Sequence, residues 1–415
     1  MATEKWVTRT AAALGGAALV LALGISDAEA AFFSGETGVD WNVVFLLLGM
    51  MIIVGVMRET GVFEYLAIWA AKRARGRPFP LMVLLILITA GASALLDNVT
   101  TVLLIAPVSI LLCRRLGLPV VPYLLAEVFA SNIGGTATLV GDPPNIIIGS
   151  RGGLTYNDFL LHLTPIVTLL LIVFVGLCRW LFRDAFRHDP QRAASVMALR
   201  ERDAINDGRL LIVSGAVMAL VTAAFVLHTV LHLEPSVVAI VGGLLLLAAS
   251  RLDPKDVAKD VEWPTLVFFT GLFVMVGGLV ATGVIDRIAH AAADAVQGKL
   301  FLTSMVLLWG SAVLSAIVDN IPYVATMSPI VAELVAANGG GPDSQVLWWS
   351  LALGGDLGGN ATAIGASANV VILGMAERAG RRISFWEFTK YGLVVTAITV
   401  ALCVPYLWLR YFAFG

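Results

Sequence analysis

Runs of apolar residues carry the pattern of this chain, and polar positions punctuate them. Apolar runs at 8–25, 41–58, 121–149, 160–182, 208–228, 235–250, 263–281, 346–374 and 388–411 come near or exceed the ~20 residues that cross a bilayer as a helix. The regions 80–112 and 301–337 are as apolar but carry polar residues at their centres. The first break reads Asp97-Asn98-Val99-Thr100-Thr101, and the second Asp319-Asn320-Ile321-Pro322. Segments 61–72 and 283–297 are too short and polar to span, and read as amphipathic helices lying in the interface.

The pattern is written twice. At a shift of 222, Trp41 falls on Trp263, Gly49 on Gly271, Gly55 on Gly277 and Thr60-Gly61 on Thr282-Gly283. Ser93-Ala94 falls on Ser315-Ala316, Asp97-Asn98 on Asp319-Asn320 and Pro107 on Pro329. At a shift of 224, "NIGGTATLVGDPPN" (132–145) meets "DLGGNATAIGASAN" (356–369). Apolar similarity alone does not align glycines and an Asp-Asn pair in order, so the chain is a duplication.

Basic loops at 72–77, 114–115, 179–209, 251–259 and 378–382 are expected in the cytoplasm, and the acidic segment 26–40 outside. Reading 80–112 and 301–337 as re-entrant hairpins then inverts one half relative to the other. The expected fold is an all-α polytopic membrane protein with two inverted-topology repeats. The first repeat (1–182) holds the hairpin 80–112 and a broken helix over 121–150. A cytoplasmic connector follows at 183–207. The second repeat (208–415) holds the hairpin 301–337 and a broken helix over 346–375. Lys5, Arg9 and the Ala28-Glu29-Ala30 triplet also fit a signal peptide, but the repeat favours a retained helix at 8–25.

Inverted repeats with interrupted helices mark secondary transporters, with the site near the midplane where the repeats meet. At each hairpin tip, Asn98 is expected to cap a helix over 99–112, with Thr100 and Thr101 in its first turn. The preceding helix, 81–96, is expected to end there with free carbonyls beside Asp97. Asp319 and Asn320 repeat the device. In the broken helices, Gly134-Gly135 and Pro143-Pro144 interrupt the backbone. Asn132, Thr136, Thr138, Asp142 and Asn145 line the first break. Asp356, Asn360, Thr362 and Asn369 line the second. The threonines have a competing role in close helix packing, and the hairpin aspartates a competing role as plain caps. Charge breaks the repeat, because Asp142 pairs with Ala366 and Asp356 with Asn132. That suits asymmetric binding of one species, or a proton carrier on one side. Glu127 is a lone acid in an apolar run.

Composition narrows the classes. The 415 residues are 59% hydrophobic and 13% charged, against about 25% charged in soluble proteins. No long basic face exists for nucleic acid. Cys113, Cys178 and Cys403 are scattered, so neither a metal centre nor a disulfide framework is expected. No nucleophile–base set or nucleotide loop suggests an enzyme, and no cofactor is expected.

"SALLDNVTTVLLIAPVSI", "AEVFASNIGGTATLVGDPPNIIIGS" and Asp158-Phe159 resemble the ion-transporter superfamily. Closest is the branch of arsenite/antimonite permeases, related sodium/proton antiporters and the melanosomal P protein. The resemblance covers essentially the whole chain. It implies a scaffold and a moving transport domain, a homodimer, and a site in the inner cell membrane. The superfamily's tips carry a Ser-Asn-Thr type motif where this chain has Asp97-Asn98-Val99-Thr100. The family also has a helix before the one at 8–25, matching 208–228.

The leading expectation is proton-coupled efflux of arsenite or antimonite. Asn98, Thr100, Thr138, Asn145, Asn320 and Asn369 would bind the neutral trihydroxide, and Asp97, Asp142 or Asp319 would carry the proton. The alternatives are a Na⁺(Li⁺)/H⁺ antiporter and an anion or carboxylate carrier. ATP-driven pumping would require a separate ATPase subunit.

Overall fold

The computed structural model describes residues 8–187, 189–296 and 299–413. They form helices throughout, with no strand among the described residues.

The first half runs α1 (Arg9–Ala22), α2 (Ala28–Phe33), α3 (Trp41–Glu59), α4 (Val62–Arg73), α5 (Pro78–Leu95), α6 (Asn98–Leu116), α7 (Val120–Gly135), α8 (Pro143–Gly152), α9 (Tyr156–His162) and α10 (Thr164–Leu181). The connector carries α11 (Pro190–Met197). The second half runs α12 (Gly208–Leu231), α13 (Pro235–Ser250), α14 (Pro254–Asp260), α15 (Trp263–Ala281), α16 (Val284–Val296), α17 (Leu300–Ile317), α18 (Asn320–Ala337), α19 (Val346–Gly358), α20 (Ser367–Arg378) and α21 (Phe385–Tyr411). Helices α3, α5, α6, α10, α12, α15, α17 and α21 are long and apolar enough to cross a membrane. The chain is a polytopic membrane protein.

Helix ends fall where side chains satisfy orphan donors. Asp40 caps α3, Asp207 caps α12 and Ser384 caps α21. The repeated Thr-Gly pairs mark the ends of α3 and α15. Gly61 and Gly283 both sit in the left-handed region, at φ 77° and 66°, where a β-carbon is strained. At Gly61 that carbon would also lie 1.8 Å from the Ala204 carbonyl oxygen.

Packing obeys the internal symmetry. Hairpin arm α5 lies on α7, as α17 lies on α19. Other contacts cross between halves: α6 meets α20, and α18 meets α8. The outer helices cross too, α13 against α3 and α1 against α15. Glycines let these backbones approach. A β-carbon on Gly49 would sit 2.4 Å from the Ala239 carbonyl carbon, and one on Gly271 2.9 Å from that of Ala13.

The connector is folded against the first half. Its backbone joins the end of α3 through Asn206 N–H to the Thr60 carbonyl (3.0 Å). Lys72 on α4 pairs with Glu201 and donates to the Leu199 carbonyl.

Candidate functional site

Each hairpin turns at its aspartate. Asp97 precedes α6 in extended conformation, and its Oδ1 accepts from Thr100 N–H at 2.8 Å. The Thr100 hydroxyl donates to the other carboxyl oxygen. Asp319 precedes α18 and accepts from Ile321 N–H at 3.2 Å. The expected cap, Asn98, is therefore displaced by one residue, because Asp and Asn cap about equally well and the backbone turns extended at Asp97. That shift frees the Asn98 and Asn320 amides for other partners.

One carbonyl in the last turn before each tip, expected to be free, is taken. The Thr138 hydroxyl donates to the Ala94 carbonyl (2.6 Å), and the Thr362 hydroxyl to the Ala316 carbonyl (2.5 Å). Ser93 and Ser315 then bond to the Ser131 and Gly355 carbonyls at 2.7 and 2.6 Å. These repeated pairs staple each tip to its own broken helix. Ser93 and Ser315 were visible only as matched letters of the repeat.

The breaks are closed by asparagines. Asn145 Nδ2 donates to the carbonyls of Gly135, Thr136 and Thr138 (3.4, 3.4 and 3.0 Å). Asn369 Nδ2 donates to those of Gly359 and Thr362 (2.7 and 2.8 Å). Backbone with no regular helical partners is thereby satisfied inside the protein, as membrane depth requires.

Both halves meet in one buried polar cluster. Asn98 Nδ2 donates to Asn132 Oδ1 (3.1 Å) and Asp142 Oδ2 (3.0 Å). Asn320 Nδ2 approaches the same carboxylate at 3.4 and 3.5 Å. Asp142 thus holds the tips of both hairpins. Asn132 Nδ2 donates across to Asn360 Oδ1 (2.9 Å) and Asn369 Oδ1 (3.1 Å). Asp356 lies beside Thr136 and Asn145, and within Coulomb range of Asp142. All these side chains are buried. Both oxygens of Asp356, Oδ1 of Asn145, Nδ2 of Asn360 and Oγ1 of Thr101 hydrogen-bond to no protein atom.

Not every expected residue reaches this centre. Asp319 pairs with Arg9 Nη1 (2.6 Å) and accepts from Ser367 (2.9 Å), while Asp97 and Thr100 are occupied with each other. Arg9 is the only basic side chain hydrogen-bonded to any of the expected site residues among those described. No sequence signal linked it to Asp319, 310 positions away. Glu127 is buried on α7 with both oxygens unpaired by protein atoms. Asp158 closes a capping box with Thr155.

A cavity of about 530 Å³ opens between α3, α8, α12 and α13. Leu139 and Ile146 wall it, next in sequence to Thr138 and Asn145. His228, His232 and Glu234 also line it.

An all-helical bundle, two repeats exchanging helices, and a polar cluster at their breaks define a secondary transporter. A family model described as the citrate transporter family (CitMHS) matches residues 1–354, and the chain belongs to that family. An uncharacterized transporter of Mycobacterium bovis is 59% identical over 406 residues, covering 98% of this chain and 94% of that protein. The human P protein is 33% identical over 477 aligned positions, covering 96% of this chain but 57% of the P protein. The crystal structure of the YdaH transporter of Alcanivorax borkumensis, described as having an unusual topology, superposes with a TM-score of 0.63 at 14% identity. It covers 97% of this chain and 96% of that one.

Proposed function

We propose that this transporter exports a small neutral hydroxylated solute, arsenite or antimonite as the trihydroxide, in exchange for protons. One observation carries the reading: carboxamides and carboxylates converge at the centre with no cationic side chain among them in the described residues. A neutral trihydroxide can donate to carboxylate and Asn Oδ1 and accept from Asn Nδ2. A free citrate anion, the solute in the family's description, would instead meet Asp142 and Asp356 with no charge to offset its own.

A second reading is Na⁺(Li⁺)/H⁺ exchange. It is favoured by the unpaired oxygens of Asp356 and Asn145, which suit a hard cation. Everted membrane vesicles with an imposed proton gradient separate the two. Gradient-dependent metalloid accumulation supports the first. A lumenal pH change on adding Na⁺ or Li⁺, without metalloid accumulation, replaces it with the second.

A further inference from the structure

The two buried carboxylates at the centre are not equivalent. Asp142 receives amide hydrogens from Asn98 and Asn320. Asp356 receives none. Its repeat partner Asn132 shows what the position does in the other half: Asn132 Nδ2 donates across the interface to Asn369 Oδ1 and Asn360 Oδ1. The mirrored neighbours of Asp356 are Asn145 and Thr136, and these are the side chains beside it.

Those neighbours have only lone pairs left to offer. The Asn145 amide hydrogens go to the break carbonyls, and the Thr136 hydroxyl donates to the Asn132 carbonyl at 2.9 Å. Asn145 Oδ1 lacks the donor that its counterpart, Asn369 Oδ1, receives. Of the two amide donations that Asn132 makes, neither has a counterpart at Asp356, and the one to Asn369 leaves a buried acceptor, Asn145 Oδ1, unfilled in the mirrored place. A carboxylate buried without a donor is expensive.

We infer that Asp356 is the residue that carries the coupling proton, and that in its protonated form its O–H donates to Asn145 Oδ1 as the Asn132 amide does to Asn369. The protonated carboxyl then supplies to Asn145 the bond that Asn132 supplies to Asn369, and deprotonation opposes Asp356 to Asn145 Oδ1 and to Asp142. This rests on the proton-coupled reading above and names the proton's seat.

The groups facing Asp356 leave that role to it. The elements packed on α19 include α7, α8, α17, α18 and α21. Their acids are Glu127, Asp142, Asp319, Glu333 and Glu387, and Asp343 precedes α19. Their basic residues are Arg151, Lys390 and Arg410. Arg151 donates to the Glu36 carbonyl, Lys390 lies over the Tyr391 ring, and Arg410 donates to His162.

Infrared difference spectroscopy of the purified, lipid-reconstituted protein tests the inference without any transported solute. Wild type should show the C=O stretch of a protonated carboxyl group that D356N lacks and D142N keeps. N145A should move that band to the frequency of a carboxyl without an acceptor. D356N should remain folded, with a melting temperature at or above that of wild type. Persistence of the band in D356N, or its loss in D142N alone, overturns the assignment. A wild-type band that appears only when Na⁺ is removed, and is lost in D356N, would keep the proton on Asp356 and replace the metalloid reading with sodium exchange. If wild type shows the expected band but moves no metalloid, the substrate reading fails and the proton assignment stands.

Discussion

Arg9 at the start of α1 and Asp319 at the tip of the second hairpin meet at 2.6 Å, joining an outer helix to a hairpin tip of the other half. The first hairpin has no such strut, since Asp97 forms no ion pair among the described residues. Arg9 is half-exposed but Asp319 is largely buried, so R9A leaves the carboxylate without its cation and should lower stability by about 1–3 kcal/mol. D319N should cost less than D319A, because Asn can still accept from Ser367. Thermal melts of the three variants check this order.

Thr138 and Thr362 should behave alike despite lying in opposite halves. Each hydroxyl donates to a carbonyl and accepts from a backbone N–H, that of Gly141 or Ile364, so valine removes two hydrogen bonds, and the carbonyl left unpaired alone costs about 1–3 kcal/mol. Serine at either position should recover most of the loss. Denaturation midpoints for T138V, T362V, T138S and T362S measure it. Unequal losses would mean that the tips are not equivalently stapled.

Asp142 should resist neutralisation. In D142N, an amide group would face the Asn98 and Asn320 donors, and no rotation gives both an acceptor as good as a carboxylate. We expect D142N to lose about 1–3 kcal/mol, while D356N loses none. N98A should cost more than N320A, since its bonds at 3.0 and 3.1 Å are shorter than those at 3.4 and 3.5 Å. Melting in a common detergent ranks all four.

Glycines divide by what surrounds them. G49A drives a β-carbon into the α13 backbone and should cost at least the ~1–3 kcal/mol of an overpacked core. Gly91 and Gly310 lie inside helices α5 and α17 with nothing within 4 Å of an added β-carbon. G91A and G310A should therefore raise stability by about 0.5–1 kcal/mol each. Expression and melting temperature of the three variants discriminate the cases.

The duplication made the fold readable. Apolar length placed α3, α13 and α15 to within a residue or so, and repeated Asp-Asn and Gly-Gly pairs located the hairpin tips and breaks. The meeting of Asn98, Asn132, Asp142 and Asn369 follows from inverted repeats sharing one centre. What escaped was the assignment of individual hydrogens. Whether Asp97 or Asn98 caps α6 depends on the backbone angle of one residue, and neighbouring letters of equal capping strength do not encode it. The Thr138–Ala94 staple depends on a backbone carbonyl, which has no letter of its own. Arg9 meets Asp319 only after the whole chain has folded.

The exchange of helices between halves also sets an order of assembly. Helix α3 leaves the ribosome long before α13, and its glycine face can meet only lipid tails until that partner is made. Helix α1 waits in the same way for α15. Neither half can close its own surface, so quality control in the membrane must tolerate an open-sided intermediate for most of synthesis. Cut at the connector and made as two chains, the halves should still find each other. Made singly, each should be degraded.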